Sequence, residues 1–232
     1  MFGSSSGESR FSDRRAAGEA LGQALSAFAG PDAIVLALPR GGVPVGFEVA
    51  TALGAPLDVM VVRKLGFPGH PEFAMGAIAS GGVRVMNDEI PDSYLPSAQQ
   101  IEAVTRAEQE ELERRERAYR GHRELIPVKE RSVLLVDDGL ATGTTMRAAV
   151  RAVRQLAPVR IVVAVPVGSR EACSALRAVA DEVVCLRTPE PFTAVGLWYE
   201  IFDQTSDEEV ARLLATPTER PGSQPLKGPR SA

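Results

Sequence analysis

The sequence has little of what marks several classes of protein. Its 232 residues include only two cysteines, Cys173 and Cys185, without C-x-x-C spacing. No apolar run approaches the length of a membrane-spanning helix, about 20 residues. The net charge of -4 argues against a nucleic-acid-binding surface, which is usually basic. The first ten residues, MFGSSSGESR, are polar, so we expect no signal peptide. We therefore expect a cytoplasmic protein with reduced thiols, no membrane segment and no nucleic-acid partner.

Short apolar runs alternate with helical patterns along most of the chain. Buried strands are predicted at AIVLAL (33–38), LDVMVV (57–62), SVLLVD (132–137), RIVVAV (160–165) and EVVCL (182–186). Apolar runs on both sides of Gly81-Gly82 predict a hairpin. Continuous apolar runs are typical of parallel strands that are covered on both faces. The predicted fold is therefore α/β, with a doubly wound, mainly parallel sheet.

The two ends of the chain differ from this pattern. Residues 1–10 and 216–232 are rich in Ser, Gly and Pro, and we predict that they are disordered. Between them we expect an N-terminal helix in 11–30, a core in 31–187, and a segment with a helix in 188–215. The helix predicted at 97–120 carries many charged pairs. It is either a solvated surface helix or a dimer contact.

The stretch VLLVDDGLATGTT (133–145) joins a predicted strand to a predicted helix. Asp137 and Asp138 follow the strand, at the edge where parallel sheets bind ligands. Two neighbouring carboxylates can accept hydrogen bonds from vicinal hydroxyls, and the free N–H groups at the start of the helix attract an anion. Further hydroxyl donors are Thr142, Thr144 and Thr145. These features predict a site for a ribose 5-phosphate. The alternative is a strand end with a capping Asp and a Thr-rich helix start.

This stretch resembles the signature of the type I phosphoribosyltransferases, which bind 5-phosphoribosyl 1-pyrophosphate (PRPP). The resemblance extends from about residue 33 to residue 186. It implies Mg²⁺-dependent transfer of the phosphoribosyl group to a nitrogen nucleophile, with release of pyrophosphate. It also implies that Asp137 and Asp138 hold the ribose hydroxyls and contact the metal indirectly, through ribose or water. The 5-phosphate would be bound by Ala141, Thr142, Gly143, Thr144 and Thr145.

A second anion site is expected after the first core strand, in the stretch LPRGG. Gly41 and Gly42 let the backbone approach a ligand closely, and Arg40 adds a positive charge. The resemblance implies that these three residues form the pyrophosphate loop. It also implies a cis or strained peptide at Pro39–Arg40 or Arg40–Gly41. The alternative is a Gly-rich turn with a solvated Arg.

Basic residues at the end of the second predicted strand are the remaining catalytic candidates. The resemblance implies that Arg63 and Lys64 reach pyrophosphate. The Gly- and Pro-rich stretch 66–71 is expected to be irregular, in the place of the family's mobile catalytic loop. Within it, His70 either assists proton transfer or is solvated.

The acceptor site is the least specified part of the sequence. The resemblance implies a small hood, built here from the N-terminal helix and residues 188–202. Phe192, Trp198 and Tyr199 are candidates to stack on a flat acceptor, or they pack the hood onto the core. We expect PRPP, a small-molecule acceptor and a second copy of the chain as partners. The alternative function is a PRPP- or nucleotide-sensing regulator without turnover.

Overall fold

The structure, a computed structural model, describes residues 9–87 and 90–218. The predicted disorder of 1–10 and 216–232 therefore falls largely outside the described residues. In chain order the elements are α1 (Arg14–Ala24), β1 (Ala33–Ala37), α2 (Gly42–Leu53), β2 (Leu57–Val59), β3 (Val62–Phe67), β4 (His70–Ala79), β5 (Val83–Met86), α3 (Ala98–Arg120), β6 (Ser132–Val136), α4 (Thr144–Gln155), β7 (Arg160–Val167), α5 (Arg170–Leu176), β8 (Glu182–Arg187) and α6 (Asp207–Ala215).

The main sheet is parallel throughout, with strand order β2-β1-β6-β7-β8. Its strands are buried on both faces: α1, α2, α3 and α6 contribute to one apolar core, and α4 and α5 contribute to the other. The predicted α/β fold with a doubly wound, mainly parallel sheet is confirmed. Because β1 and β6 are neighbours and Ala37 pairs with Val136, the loops that follow these two strands lie side by side.

The second sheet corrects two predictions. The run LDVMVV is not one strand, since β2 ends at Val59 and β3 begins a separate antiparallel sheet with β4 and β5. The stretch 66–71 is not irregular either, because it forms the β3–β4 hairpin. Gly69 supplies a positive φ of 79° at the turn, and the register shifts at Gly66, where the backbone passes close to Pro71. The hairpin predicted at Gly81-Gly82 is confirmed.

The two segments predicted to form the hood are joined to each other by backbone and side-chain contacts. The N–H of Phe11 donates to the carbonyl of Trp198 at 2.9 Å, and the N–H of Glu200 donates to the carbonyl of Phe11 at 2.8 Å. Phe11 and Tyr199 are buried together with Ala17 of α1. The segment after β8 and the start of α1 therefore form one unit beside the carboxyl ends of the strands.

The long helix α3 is attached to the same chain along part of its length. Leu112 and Tyr119 are buried, and Tyr119 donates to Asp207 of α6 at 3.1 Å. At its end Arg120 forms a buried ion pair of 2.6 Å with Asp58 of β2. These contacts hold α3 against α6 and β2. The dimer contact proposed for this helix stays a prediction. No helix in the described part of the chain combines the length and the apolar character needed to cross a membrane.

Candidate active site at the carboxyl edge of the sheet

Asp137 and Asp138 leave the end of β6 at the centre of the sheet. The N–H of Asp138 donates to Oδ1 of Asp137 at 2.8 Å. Burial raises the pKa of the Asp137 carboxyl well above its ordinary value, and the neighbouring charge of Asp138 raises it further. Burial also raises the pKa of Asp138, although Arg14 opposes that shift. The pair is therefore a partly desolvated acidic site at the carboxyl end of β6.

The loop after the acidic pair opens α4 without a capping side chain. Gly143, the residue before α4, has a positive φ of 71°, which a residue with a side chain rarely adopts. Ala141, Thr142, Thr144 and Thr145 are exposed. The loop is supported from α5, since the hydroxyl of Ser169 donates to the carbonyl of Ala141 at 2.8 Å. The result is an open helix N-terminus that presents backbone N–H groups and hydroxyls.

The β1–α2 loop lies against the acidic pair. The peptide bond between Pro39 and Arg40 is cis, which confirms the sequence expectation. A Cβ atom at Gly41 would lie 2.0 Å from Oδ2 of Asp138, and one at Gly42 would lie 2.8 Å from the carbonyl oxygen of Val136. Only glycine therefore allows the two loops to approach so closely.

The side chain of Arg40 pairs with Asp207 and not with the acidic pair. Its Nη1 lies 3.6 Å from Oδ1 of Asp207, at the start of α6. About a third of the Arg40 side chain is exposed, so its guanidinium is accessible to an anion. To bind one it has to leave its ion pair with Asp207.

Arg63 and Lys64 point to opposite faces of β3, as successive strand residues do. Arg63 donates to Glu108 of α3 at 2.7 Å. Lys64 is exposed and lines a cavity of about 120 Å³ with Thr144, Arg147 and Arg151 of α4. The structure thus places Lys64 beside the loop at the start of α4 and places Arg63 on the α3 side.

Comparison with known proteins agrees with this geometry. A family model described as a phosphoribosyl transferase domain matches residues 13–200. The chain belongs to the phosphoribosyltransferase family. Two Mycobacterium tuberculosis proteins, both provisionally named phosphoribosyl transferases, are 48% identical over 204 residues, which are 88% of this chain and 46% of theirs. The chain thus spans about half the length of these curated relatives. The crystal structure of TT1426 from Thermus thermophilus is 45% identical, with a TM-score of 0.79 over 88% of this chain and 97% of that one.

The aromatic candidates for the acceptor site of this family member differ in their surroundings. Tyr199 is buried between Phe11 and Phe202, and its hydroxyl donates to the backbone carbonyl of Asp138 at 2.5 Å. Phe192 and Trp198 are partly buried and pack against the Phe11 cluster. The indole N–H of Trp198 is buried and has no hydrogen-bond partner in the described part of the chain. Phe202 is 37% exposed, so it is the aromatic ring of this group that is open to a ligand.

Another cavity lies away from the site of the phosphoribosyltransferase signature. It has a volume of about 670 Å³ and is lined by Gly81, His122, Leu125 and Lys129, at the amino ends of the strands. Its position at the opposite edge of the sheet separates it from the acidic pair and the phosphate loop.

Arg14 is the site residue that sequence reasoning missed. Its Nε donates to Oδ2 of Asp138 at 2.8 Å, from 124 positions away in the chain. The sequence does contain an indication that Arg14 has a distant partner. A cation in the first turn of a helix opposes the helix dipole, so Arg14 at the start of α1 serves a partner outside its own helix.

Proposed function

We propose that this chain transfers the 5-phosphoribosyl group of PRPP to a nitrogen nucleophile and releases pyrophosphate. The bond between C1 of the ribose and the pyrophosphate oxygen breaks, and a bond from C1 to the acceptor nitrogen forms as that nitrogen loses a proton. The observation that carries the proposal is the meeting of three parts at one edge of the sheet: the half-buried acidic pair, the open start of α4 and the glycine-bearing β1–α2 loop.

Each part has a role that suits its chemistry. The N–H groups and hydroxyls of the loop 141–145 bind the 5-phosphate, because they lie at the positive end of the α4 dipole. Asp137 and Asp138 accept hydrogen bonds from the ribose hydroxyls and orient C1. Gly41 and Gly42 let the β1–α2 loop pack against the acidic pair, so that its backbone lies beside the ribose site and can bind the pyrophosphate, and Arg40 turns from Asp207 to compensate its charge.

We assign Lys64 and Arg63 different parts in this function. Lys64 shares a cavity with Thr144, so its ammonium group supports the binding of the phosphate groups of PRPP. Arg63 is engaged with Glu108, so it acts by fixing the β3–β4 hairpin on α3. His70 begins β4 and is exposed, and its part in proton transfer stays a prediction.

The donor set suits Mg²⁺ that is held mainly by the substrate. Among the described residues no group of three or more His, Cys, Asp or Glu side chains could hold a metal ion. Mg²⁺ keeps several waters and is commonly bound through one or two carboxylates together with substrate phosphates. Asp137 and Asp138 would contact it indirectly, through ribose or water. When bound, the ion neutralises charge on the departing pyrophosphate.

The acceptor approaches from the hood side of the acidic pair. Phe202 is the exposed ring there, and Tyr199, Trp198 and Phe192 support the hood behind it. We propose a planar nitrogen compound, a nucleobase or a related amine, that contacts the exposed part of Phe202, since the guanidinium of Arg14 already covers one face of that ring. We also retain a homodimer and a cytoplasmic location as predictions.

The test is pyrophosphate release with PRPP, Mg²⁺ and a panel of nucleobases and simple amines. We expect release with at least one acceptor, and loss of release when Asp137 and Asp138 are both replaced by Asn. Asp92→Asn, at an exposed acid outside the site, is the matched control and should behave as wild type. Binding of PRPP without turnover on any acceptor would favour the sensing regulator. Absence of binding both of PRPP and of nucleoside monophosphates at millimolar ligand would contradict both functions.

A further inference from the structure

Arg14 reaches from the hood to the acidic pair and is held there by three contacts. Its Nε and Nη2 atoms each lie 2.8 Å from Oδ2 of Asp138. Its Nη1 donates to the carbonyl of Asp203 at 2.6 Å, and its guanidinium carbon lies 3.9 Å from the centroid of the Phe202 ring. The side chain is 12% exposed. A planar guanidinium bound on its edge and on its face has one orientation rather than many.

The helix that carries Arg14 does not need a cation at this position. Asp13 already caps α1 by accepting from the N–H of Ala16 at 2.8 Å. A positive charge in the first turn weakens a helix, because the dipole is positive at that end. The contacts that stabilise Arg14 are therefore those it makes with Asp138 and with the segment 202–203.

Asp138 is held from two directions. Oδ2 lies between the guanidinium of Arg14 and the backbone of Gly41, where a Cβ atom would lie only 2.0 Å from it. Neither contact uses the other carboxylate oxygen, Oδ1. The backbone carbonyl of Asp138 is held separately, by the hydroxyl of Tyr199.

We propose that Arg14 is a positioning residue for the ribose: with Gly41 it fixes Oδ2 of Asp138, so that the carboxylate offers Oδ1 to the sugar hydroxyls in one orientation. The inference rests on the proposed function, because it takes the acidic pair as the ribose site. A carboxylate that is already oriented loses little side-chain freedom when the sugar binds, and this favours affinity. The phosphate cradle at the start of α4 has no contact with Arg14 and should not depend on it.

The experiment compares three ligands on three variants by calorimetric titration. The ligands are ribose 5-phosphate, 2-deoxyribose 5-phosphate and inorganic phosphate. Arg14→Met keeps much of the side-chain stem and removes the guanidinium, and Arg14→Lys keeps the charge without the planar fork. The matched control is Arg15→Met, the next residue of α1, which is 73% exposed and pairs with Glu19 and Glu48.

We expect Arg14→Met to weaken ribose 5-phosphate binding roughly tenfold, an effect of the size of one lost charge-assisted contact. Inorganic phosphate should bind within about twofold of wild type, and the preference for ribose over 2-deoxyribose should shrink. Arg14→Lys should recover part of the loss, because an ammonium can still hold Oδ2. Arg15→Met should match wild type for all three ligands.

Several results would overturn the inference. Wild-type affinity of Arg14→Met for ribose 5-phosphate would show that Asp138 needs no help from Arg14. Equal losses for ribose 5-phosphate and phosphate would show a general disturbance of the site. If Arg14→Met does not fold, Arg14→Gln, which also removes the charge, replaces it: wild-type sugar binding by that variant decides against the proposal, and a selective loss of sugar binding supports it. If the wild-type protein binds none of the three ligands, the proposed function itself is wrong.

Discussion

Replacing Gly41 by Ala tests the contact between the β1–α2 loop and the acidic pair. Gly41 has φ of -60° and ψ of -30°, which alanine adopts without strain, so any effect must come from the added Cβ atom. That atom would lie 2.0 Å from Oδ2 and 2.8 Å from Cγ of Asp138, and 3.3 Å from Nε of Arg14. An overlap of this size cannot be absorbed without moving the carboxylate. The ion pair between Asp138 and Arg14 must then break or shift.

The cost follows from the exposure of the two partners, 12% for Arg14 and 15% for Asp138. Breaking a fully buried pair costs about 3–5 kcal/mol, and an exposed pair contributes at most about 1 kcal/mol. We therefore expect Gly41→Ala to lower the free energy of unfolding by about 1–3 kcal/mol. For a protein of this size that is a melting temperature lower by roughly 3–10 °C.

The assay is thermal melting together with titration of PRPP and Mg²⁺. Gly41→Ala should also weaken PRPP binding by at least about tenfold, because the displaced carboxylate no longer faces the ribose. The control is Gly30→Ala, since a Cβ atom at Gly30 would meet no atom within 4 Å. The reasoning is refuted if Gly41→Ala melts and binds PRPP as Gly30→Ala does.

Four further substitutions test other parts of the site. Asp137→Asn should melt above wild type by a margin that grows as pH rises from about 4: the folded-state pKa of Asp137 is raised, so ionisation of Asp137 destabilises the folded wild type. A margin that stays constant or shrinks would contradict this. Lys64→Gln should weaken PRPP binding roughly tenfold in calorimetry, whereas Arg63→Gln should bind normally and lose at most about 1 kcal/mol of stability; equal effects would refute the division of roles. Gly143→Ala should cost about 1–2 kcal/mol in denaturant unfolding, because its φ of 71° strains an L residue. Wild-type stability of that variant would show that the loop can relax.

The parts of the fold that depend on local pattern could be predicted from the sequence. The parallel strands follow from continuous apolar runs, and the open N-terminus of α4 follows from small residues at the start of a helix. The order β2-β1-β6-β7-β8 could not be predicted, because it depends on packing between distant segments. The Gly- and Pro-rich stretch 66–71 predicts an irregular loop, whereas the structure has the β3–β4 hairpin there. Its Gly and Pro residues mark a tight turn and a bulge within a sheet, and they do not end the sheet.

In the candidate site, the features made by the backbone could be predicted from the sequence, and the contacts made by long side chains could not. The cradle at Gly143 and the close approach at Gly41 are made by backbone, so residue types that free the backbone reveal them. The contacts of the arginines could not be predicted in this way. A long side chain can reach several partners, and only the folded chain brings those partners near. Arg40, in the β1–α2 loop, pairs with Asp207, while Arg14 pairs with Asp138, which lies 124 positions away in the chain. A positive charge in the first turn of a helix is unfavourable for that helix, so it indicates a partner elsewhere in the fold. Arg14 is a charge of this kind.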